Sequence, residues 1–415
     1  MRAVVMRNRQ LVVADVPTPE PGPGEVLVRT LACGICGSDL HAFRHAERFV
    51  EAGRRAGNSR VMDLARDVVM GHEFCAEIVD HGPGTTRALR TGTRVCSRPT
   101  LLRATGPQSI GYSNDNPGGY GEYMRLTEAL LLEVPADLST EHAAFTEPMA
   151  VGVHAVARAR LEPDDAPLVI GCGPVGLAVI AALRLRGVRP IVAADFSPLR
   201  RELAVALGAD AVVDPAERTP WQSWREAAVW SDPSRAPQLP PWVPGPPRRP
   251  AVVFECVGVP GVLDQIMAAA PRDTRIVVVG VCMEPDTIYP LLGIAKELSV
   301  QFVLGYTPDE FAATLRHIAE GAIPVAPLLT GRVGLEAWPA RSRTSPPPIA
   351  TRRSSSSRRA TEPQARPQKW RDARRAPSAR VASFRRCRPA SEVDEGPPHR
   401  SRAPRLDLEE CGSPP

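Results

Sequence analysis

The stretch "PLVIGCGPVGLAVIAALRLRG", residues 167–187, decides the fold of the middle part of the chain. It opens with a short apolar run that predicts a buried strand, and it continues beyond three glycines as an apolar segment of helical length. The glycines have the G-x-G-x-x-G spacing, which permits a tight turn and a close approach of backbone N–H groups to a pyrophosphate. The predicted dinucleotide-binding loop consists of Gly171, Gly173, Pro174, Val175 and Gly176.

Strands and helices alternate from residue 167 to about residue 281. The strand-like runs are "PLVIG", "PIVAADF", "AVVFECVG" and "RIVVVGV", and the runs between them, such as "SPLRRELAVALGAD" and "GVLDQIMAAA", have helical spacing. This rhythm predicts βαβ units and therefore an α/β fold with a doubly wound parallel sheet, the Rossmann architecture. Residues 214–250, rich in proline, tryptophan and arginine, interrupt it and predict a surface insertion.

Asp195 closes the strand that follows the glycine loop, 19 residues after Gly176. An acid at this point can accept hydrogen bonds from both ribose hydroxyls of an adenosine and repels a 2′-phosphate, which favours NAD over NADP. Arg200, five residues later, is the opposing signal, because an arginine there can accommodate a phosphate. We expect NAD as the cofactor, with Asp195 and Arg200 beside the adenosine ribose.

The first 160 residues have a different sequence pattern, typical of strands and turns. Apolar runs such as "EVLVRTLA" and "GEYMRLTEALLLEV" are separated by turn-rich segments such as "PEPGPGE", "DHGPGTT" and "NDNPGGYG". Three segments also carry metal-ligand chemistry: "LACGICGSDLHAF" (31–43), "GHEF" (71–74) and "FTEPMAVGVHA" (145–155). They supply a thiolate, an imidazole and carboxylates, which suit zinc, and three protein ligands leave a fourth position open, as in catalytic zinc sites.

Six motifs, in this order, resemble the zinc-dependent medium-chain alcohol dehydrogenases, and in particular their polyol and threonine dehydrogenase branch: "CGICGSDLH", "GHEF", "GGYGEY", "EPMAVGVHA", "IGCGPVGL" and "FECVG". The resemblance implies a GroES-like, mainly-β catalytic domain at residues 1–156 and a Rossmann domain at residues 157–305, with the 214–250 insertion. It further implies a return of the chain to the catalytic domain at residues 306–337.

The resemblance also implies the zinc ligands. The second cysteine of the pair, Cys36, would bind one catalytic zinc ion per chain together with His72. Glu147 is the favoured third ligand, and Glu73 is an exchanging or indirect partner. A zinc knuckle would need a second C-x-x-C, which the sequence lacks, and a redox pair would open a helix in a thioredoxin-like unit.

Ser38 and His41 match the proton relay of the family, which leads from the substrate oxygen toward solvent. The activity implied is hydride transfer between NAD and an alcohol, with a secondary alcohol or polyol as the expected small-molecule substrate. Relatives in this family assemble as dimers or tetramers, so a homodimer or homotetramer is expected.

The sequence departs from the family in two places. Where many relatives hold a structural zinc with four closely spaced cysteines, residues 92–123 contain Cys96 alone, so a four-thiolate site cannot form. The second departure is the segment 338–415, low in complexity and rich in arginine, proline and serine. With its net charge of about +10, against about −5 for the rest, it predicts a disordered extension without a specific nucleic-acid partner.

The sequence leaves competing functions open. A zinc-free, NADPH-dependent quinone or enone reductase of the same superfamily would lack Cys36 and His72 and carry a basic residue near the ribose, and this chain has the opposite features. The sequence is also compatible with an inactive product that has a damaged C-terminus and with a nucleic-acid binder acting through its basic tail. The chain has neither a long apolar run nor a signal-peptide core, which predicts a cytoplasmic protein with no membrane partner and reduced cysteines.

Overall fold

The computed structural model of the protein describes residues 1–241, 245–338 and 350–351. All of them belong to one compact unit, Met1–Ser357. The disordered extension predicted for residues 338–415 falls outside the described residues, apart from residue 338 and the pair 350–351. Within the described part of the chain, no helix combines the length and the apolar character needed to cross a membrane.

The N-terminal part is mainly β. Its elements are β1 (Arg2–Arg7), β2 (Gln10–Asp15), β3 (Glu25–Cys33), α1 (Gly37–Arg44), α2 (Ala46–Arg55), β4 (Phe74–His81), β5 (Arg94–Ser97), β6 (Thr100–Arg103), β7 (Gly106–Ser109), β8 (Tyr123–Thr127), β9 (Leu131–Glu133), α3 (Thr140–Ala144) and α4 (Thr146–Arg158). Five strands form an antiparallel sheet in the order β8-β3-β4-β5-β9, and β1-β2 and β6-β7 are hairpins.

The pairing of β3 with β4 brings the ends of two distant motifs together. Alternate residues of β3, such as Val26 and Val28, are fully buried, and this apolar face fixes the register of the strand. Cys33, the last residue of β3, lies opposite Phe74, the first residue of β4. The turn that follows β3 therefore lies beside the residues that precede β4.

The second part is a Rossmann fold, as predicted. Its elements are β10 (Ala166–Ile170), α5 (Pro174–Leu185), β11 (Val192–Ala194), α6 (Pro198–Ala206), β12 (Ala211–Val213), α7 (Pro220–Ala227), β13 (Ala251–Glu255), α8 (Val262–Ala269), β14 (Arg275–Val278), α9 (Pro290–Lys296) and β15 (Ser299–Phe302). Six strands form a parallel sheet in the order β12-β11-β10-β13-β14-β15. The strand order reverses between β10 and β13, and ligands of such sheets bind in the crevice at their carboxyl ends.

The predicted insertion 214–250 contains a helix that packs against the sheet. Helix α7 starts with a capping box between Thr219 and Gln222. Trp221 and Trp224 on this helix are buried, with ring centroids 5.6 Å apart, and Trp224 Nε1 donates to the carbonyl of Ala166 at 2.8 Å. Helix α7 therefore packs against the sheet, whereas the described residues that follow it are largely exposed, and the insertion at 214–250 stays a prediction.

Beyond β15 the chain returns to the N-terminal part through α10 (Pro308–Ala319), β16 (Gly331–Arg332) and β17 (Ala350–Thr351), which pairs parallel to β16. Glu310 on α10 lies 2.8 Å from His154 Nδ1 on α4. Trp338 is 4% exposed and its ring lies 5.6 Å from that of Tyr120, so it is part of the core rather than of a tail. The domain boundaries at residues 156 and 305 stay predictions. They are supported by the two sheets, since the antiparallel sheet takes its strands from residues before 156 and the parallel sheet takes its strands from residues 166–302.

Candidate active site

Three predicted metal ligands lie together where β3 and β4 meet. The ligand atoms of Cys36, His72 and Glu73 are all within 4.8 Å of one another. Cys36 is the extended residue before α1, while His72 and Glu73 directly precede β4. His72 and Glu73 are 8% and 3% exposed, so the cluster is largely withdrawn from water.

The chemistry of this cluster fits a zinc ion. Burial, together with the charge of Glu73, raises the pKa of the Cys36 thiol to about 11. Burial and the neighbouring Glu147 raise the pKa of Glu73 to about 8. Buried anions that repel one another are stabilised by a cation, and sulfur, imidazole and carboxylate donors are the ligands that zinc takes in proteins.

His72 is oriented by a buried carboxylate. Its Nδ1 lies 3.2 Å from Asp39 Oδ1, within ion-pair distance but without a hydrogen bond between the two atoms. Asp39 in turn accepts a hydrogen bond from the Tyr120 hydroxyl at 2.7 Å. Because Nδ1 faces Asp39, Nε2 on the opposite edge of the ring is the nitrogen left for a metal.

Glu147, the favoured third ligand in the sequence analysis, lies outside the group of donor atoms that are within 4.8 Å of one another. It is buried at the start of α4, and its Oε1 accepts a hydrogen bond of 2.9 Å from the Tyr306 hydroxyl. The structure therefore brings Glu73, and not Glu147, to Cys36 and His72. The preference for Glu147 as ligand stays a prediction.

The two residues of the predicted proton relay lie on α1. Ser38 Oγ is 3.1 Å from Cys36 Sγ, at the edge of the donor cluster. His41 is half-buried, and burial, helped by the charges of His45 and Arg44, lowers its pKa. No hydrogen bond joins Ser38 to His41 among the described residues, so their role as a relay stays a prediction.

The glycine loop between β10 and α5 leaves room for a pyrophosphate. Gly171 has a φ of +91°, and a Cβ there would lie 2.8 Å from a methyl of Val257. Around Gly173 the space is open, because a Cβ would meet no atom within 4 Å. Gly173 precedes Pro174, the first residue of α5, and its position has no side-chain cap. The N–H groups at the start of α5 are therefore available to a phosphate.

Asp195 directly follows β11 and is hydrogen-bonded to this loop. Its carboxylate accepts hydrogen bonds of 2.8 Å from the backbone N–H groups of Cys172 and Ser197. Arg200 Nη1 is 3.6 Å from it, whereas Arg201 Nη1 donates to the backbone carbonyl of Asp195 at 2.7 Å and to the carboxylate of Asp214 at 2.9 Å. The geometry places Asp195 and Arg200 together, and their contact with a ribose stays a prediction.

A polar cluster anchors the β6–β7 hairpin, in the segment that has Cys96 alone. Glu25 is 2% exposed, and its carboxylate accepts hydrogen bonds from Arg103 Nε at 2.8 Å and from the Gly22 N–H at 3.0 Å. Arg125 Nε lies 3.8 Å from the same carboxylate. Burial alone would raise the pKa of Glu25, but these donors outweigh it and the pKa is lowered.

Three tyrosines of the site did not emerge from the sequence motifs as functional residues. Tyr112 contacts Ser38 and Asp39, Tyr120 contacts Asp39, and Tyr306 contacts Glu147. Tyr120 belongs to the quoted motif "GGYGEY", which was a usable signal. Tyr112 and Tyr306 stand in segments without a motif, and only the fold brings them to the site.

Comparisons with known proteins agree with this architecture. Two family models match, "Alcohol dehydrogenase GroES-like domain" over residues 22–136 and "Zinc-binding dehydrogenase" over residues 174–320. The chain is 31% identical to (R,R)-butanediol dehydrogenase of Bacillus subtilis, over 81% of this chain and 93% of that protein, and 27% identical to sorbitol dehydrogenase of the same organism, over 81% and 91%. The crystal structure of 2R,3R-butanediol dehydrogenase from Bacillus subtilis superposes with a TM-score of 0.67 at 27% identity, covering 85% of this chain and 99% of that one. The chain belongs to the zinc-dependent medium-chain alcohol dehydrogenases, in their polyol dehydrogenase-like branch.

Proposed function

We propose that the protein oxidises a secondary alcohol or polyol with NAD, at a zinc ion held by Cys36, His72 and a glutamate. By its family the chain is an alcohol dehydrogenase-type oxidoreductase, and zinc and NAD(H) are the cofactors of that family. The observation that carries the proposal is the donor cluster within 4.8 Å, with the hydroxyl of Ser38 at its edge. The substrate class rests on the relatives named for butanediol and sorbitol.

The residues around the cluster have separate tasks in this reaction. When bound, zinc supplies a Lewis acid for the substrate hydroxyl and NAD supplies the hydride acceptor. In this proposal Ser38 receives the proton of that hydroxyl as it gives up its own, and half-buried His41 passes a proton to solvent. Asp39 holds the ring of His72, and Asp195 with the glycine loop orients the dinucleotide.

Zinc content and NADH formation test the proposal together. The full chain should contain about one zinc ion and should form NADH, followed at its absorbance, with 2,3-butanediol or sorbitol as substrate. Cys36→Ser should lose both the metal and the activity. Cys282→Ser is the matched control, because Cys282 is exposed and outside the donor cluster. Full activity with NADPH and an enone in Cys36→Ser would instead support the zinc-free reductase.

We propose a second copy of the chain as the partner at the free edge of the parallel sheet. Among the described residues β15 has a strand neighbour on one side only. Exposed apolar side chains cluster in and around it: Leu291, Ile294, Phe302 and Leu304 are 71%, 74%, 66% and 88% exposed. An apolar strand edge of this kind is an association surface. Ile294→Asp combined with Phe302→Asp should convert the assembly to monomers in light scattering, and an unchanged mass would contradict the proposal.

The cytoplasm is the proposed location. The seven cysteines among the described residues are all free, which suits a reducing compartment. Neither a specific nucleic acid nor a membrane is expected as a partner. A fractionation that recovers the protein from the membrane pellet, or a salt-resistant complex with RNA, would contradict these expectations.

A further inference from the structure

Tyr112 reaches into the active site from the segment between β7 and β8. Its hydroxyl oxygen lies 2.9 Å from Ser38 Oγ. The same hydroxyl donates to Asp39 Oδ1, with 3.0 Å between the two oxygen atoms. Its ring centroid lies 5.3 Å from that of His72 and 5.3 Å from that of Phe49. One side chain therefore contacts the proposed proton acceptor, the carboxylate that orients a proposed zinc ligand, and the ring of that ligand.

The hydroxyls of Ser38 and Tyr112 have two protons between them but make three polar contacts: Ser38 with Cys36, Ser38 with Tyr112, and Tyr112 with Asp39. One of these contacts therefore has no proton. Ser38 has one proton and two acceptors, Cys36 Sγ at 3.1 Å and the Tyr112 oxygen at 2.9 Å. Tyr112 has one proton, and the carboxylate of Asp39 attracts it most strongly because a charged acceptor forms the stronger hydrogen bond. A phenol is a much weaker acid than a carboxylic acid, so the shared proton stays on Tyr112 and is donated to Asp39.

Only one arrangement of these protons places a proton in both oxygen–oxygen contacts, Ser38 to Tyr112 and Tyr112 to Asp39. If Tyr112 donates to Asp39 while Ser38 donates to Cys36, the two hydroxyl oxygens face each other at 2.9 Å with no proton between them, which is repulsive. If Ser38 donates to Tyr112 and Tyr112 donates to Asp39, each short oxygen–oxygen contact has its own proton. The lone pairs of Ser38 are then free to accept a further hydrogen bond.

We propose that Tyr112 is a positioning residue that draws the proton of Ser38 away from Cys36 and leaves the lone pairs of Ser38 to accept a hydrogen bond from the substrate hydroxyl. The inference rests on the proposed function, in which Ser38 is that acceptor. It also has a consequence for the metal site. Cys36 receives no hydrogen bond from Ser38 and so remains a stronger electron donor to a bound metal.

Cobalt substitution tests this consequence without turnover. In the Co²⁺-loaded full chain, the thiolate-to-cobalt absorption band reports the donor strength of Cys36. Among the described residues, Tyr112→Phe leaves the Cys36 sulfur as the acceptor within hydrogen-bond distance of Ser38, so the band should shift to higher energy. In the Ser38→Ala background, Tyr112→Phe should leave the band where Ser38→Ala alone places it.

Tyr120→Phe is the matched control. Tyr120 donates to the other oxygen of the same carboxylate, Asp39 Oδ2, at 2.7 Å, and among the described residues its hydroxyl contacts Gly34 rather than Ser38. Its loss weakens the support of Asp39 without changing the acceptors of Ser38, so the cobalt band should stay in place. In turnover with the alcohol found by screening, Tyr112→Phe should lower kcat by roughly 10-fold with little change in KM. The Ser38→Ala background should remove this loss.

The outcomes separate this inference from the proposed function. A cobalt band that is present in the unsubstituted protein and unmoved by Tyr112→Phe would overturn the inference alone. An equal shift in Tyr120→Phe, or a full additional loss of kcat in the Ser38→Ala background, would also overturn it, since Tyr112 would then act through Asp39. A protein that shows no thiolate band with Co²⁺ would overturn the metal site and the proposed function with it.

Discussion

The Tyr306 hydroxyl donates a 2.9 Å hydrogen bond to Oε1 of Glu147, the candidate glutamate that lies outside the donor cluster of Cys36, His72 and Glu73. Tyr306 comes from the connection between β15 and α10, and its ring stacks on Phe311 at 5.2 Å, so its position is fixed by packing. For Glu147 to ligate a metal, the carboxylate must exchange this bond or rotate about it. Glu73 needs no such exchange.

The geometry therefore predicts unequal roles for the two glutamates in metal binding. Glu73→Gln should weaken zinc affinity by about 10-fold or more, as expected for loss of a charged ligand, and Glu147→Gln should weaken it less. Tyr306→Phe frees Glu147 and should partly restore affinity in the Glu73→Gln background. Competition with a chelating dye measures all three. A larger loss in Glu147→Gln would establish the order of preference drawn from the sequence.

Cofactor choice should depend on the charge of Asp195. Asp195→Asn keeps the shape of the side chain and removes its repulsion of a 2′-phosphate, while Arg200 remains 3.6 Å away to attract one. We expect the preference for NADH over NADPH, measured by fluorescence titration, to fall by about 10-fold. Asp214→Asn is the control, because Asp214 also pairs with an arginine but lies at the end of the next strand. An equal fall in both variants would contradict a specific role of Asp195.

Local motifs were sufficient to single out the glycine loop and the residues Cys36, His72 and Glu73, although they favoured Glu147 over Glu73 as the third ligand. Each of these motifs adjoins a strand end, and the apolar faces of the strands determine which ends meet. Tyr112 and Tyr306 could not be predicted in the same way. Their hydroxyls reach partners 73 or more residues away in the sequence, and no periodicity or motif encodes that approach.

Helix α7 and the burial of Trp338 escaped prediction for a different reason. Proline and arginine around both segments resemble loop composition, and composition outweighed local signals. The T-x-x-Q pattern from Thr219 to Gln222 is a capping-box sequence and was sufficient to indicate a helix start. The sequence around Trp338 gives no signal of burial, because its ring packs against Tyr120, which is far away in the sequence.

The hairpin β6–β7 should lose its anchor at low pH. The pKa of Glu25 in the folded protein lies below its ordinary value of 4.5. The Glu25 carboxylate therefore makes its full contribution to stability at any pH above 4.5. It is lost as the pH falls through the folded-state pKa. Glu25→Gln should therefore lower the free energy of unfolding by about 1–2 kcal/mol at pH 7. The loss is no larger because Arg103 is partly exposed and solvent screens its charge. Below about pH 4.5 the difference in stability between the variant and the unsubstituted protein should shrink.

Denaturant unfolding between pH 7 and pH 3.5 measures this difference. Glu51→Gln is the control, because Glu51 is an exposed residue on α2. A deficit in Glu25→Gln that is the same at every pH would show that the carboxylate charge does not stabilise the hairpin.

Trp338 should contribute to stability as a core residue, although it is the first residue of the low-complexity segment. Its ring packs edge-on against Tyr120, whose hydroxyl supports Asp39 beside His72. Trp338→Ala removes a large buried side chain and should lower the free energy of unfolding by about 3 kcal/mol. Because Tyr120 loses its neighbour, zinc affinity should fall as well.

Val205→Ala is the control for this experiment, since Val205 is 54% exposed and its truncation should change stability by less than about 0.5 kcal/mol. Chemical denaturation with zinc present and with zinc removed distinguishes the two effects of Trp338→Ala. The variant should lose more stability in the zinc-loaded protein than in the metal-free protein, because weaker metal binding adds to the loss of packing. Equal losses in the two states would show that Trp338 packs in the core without supporting the metal site.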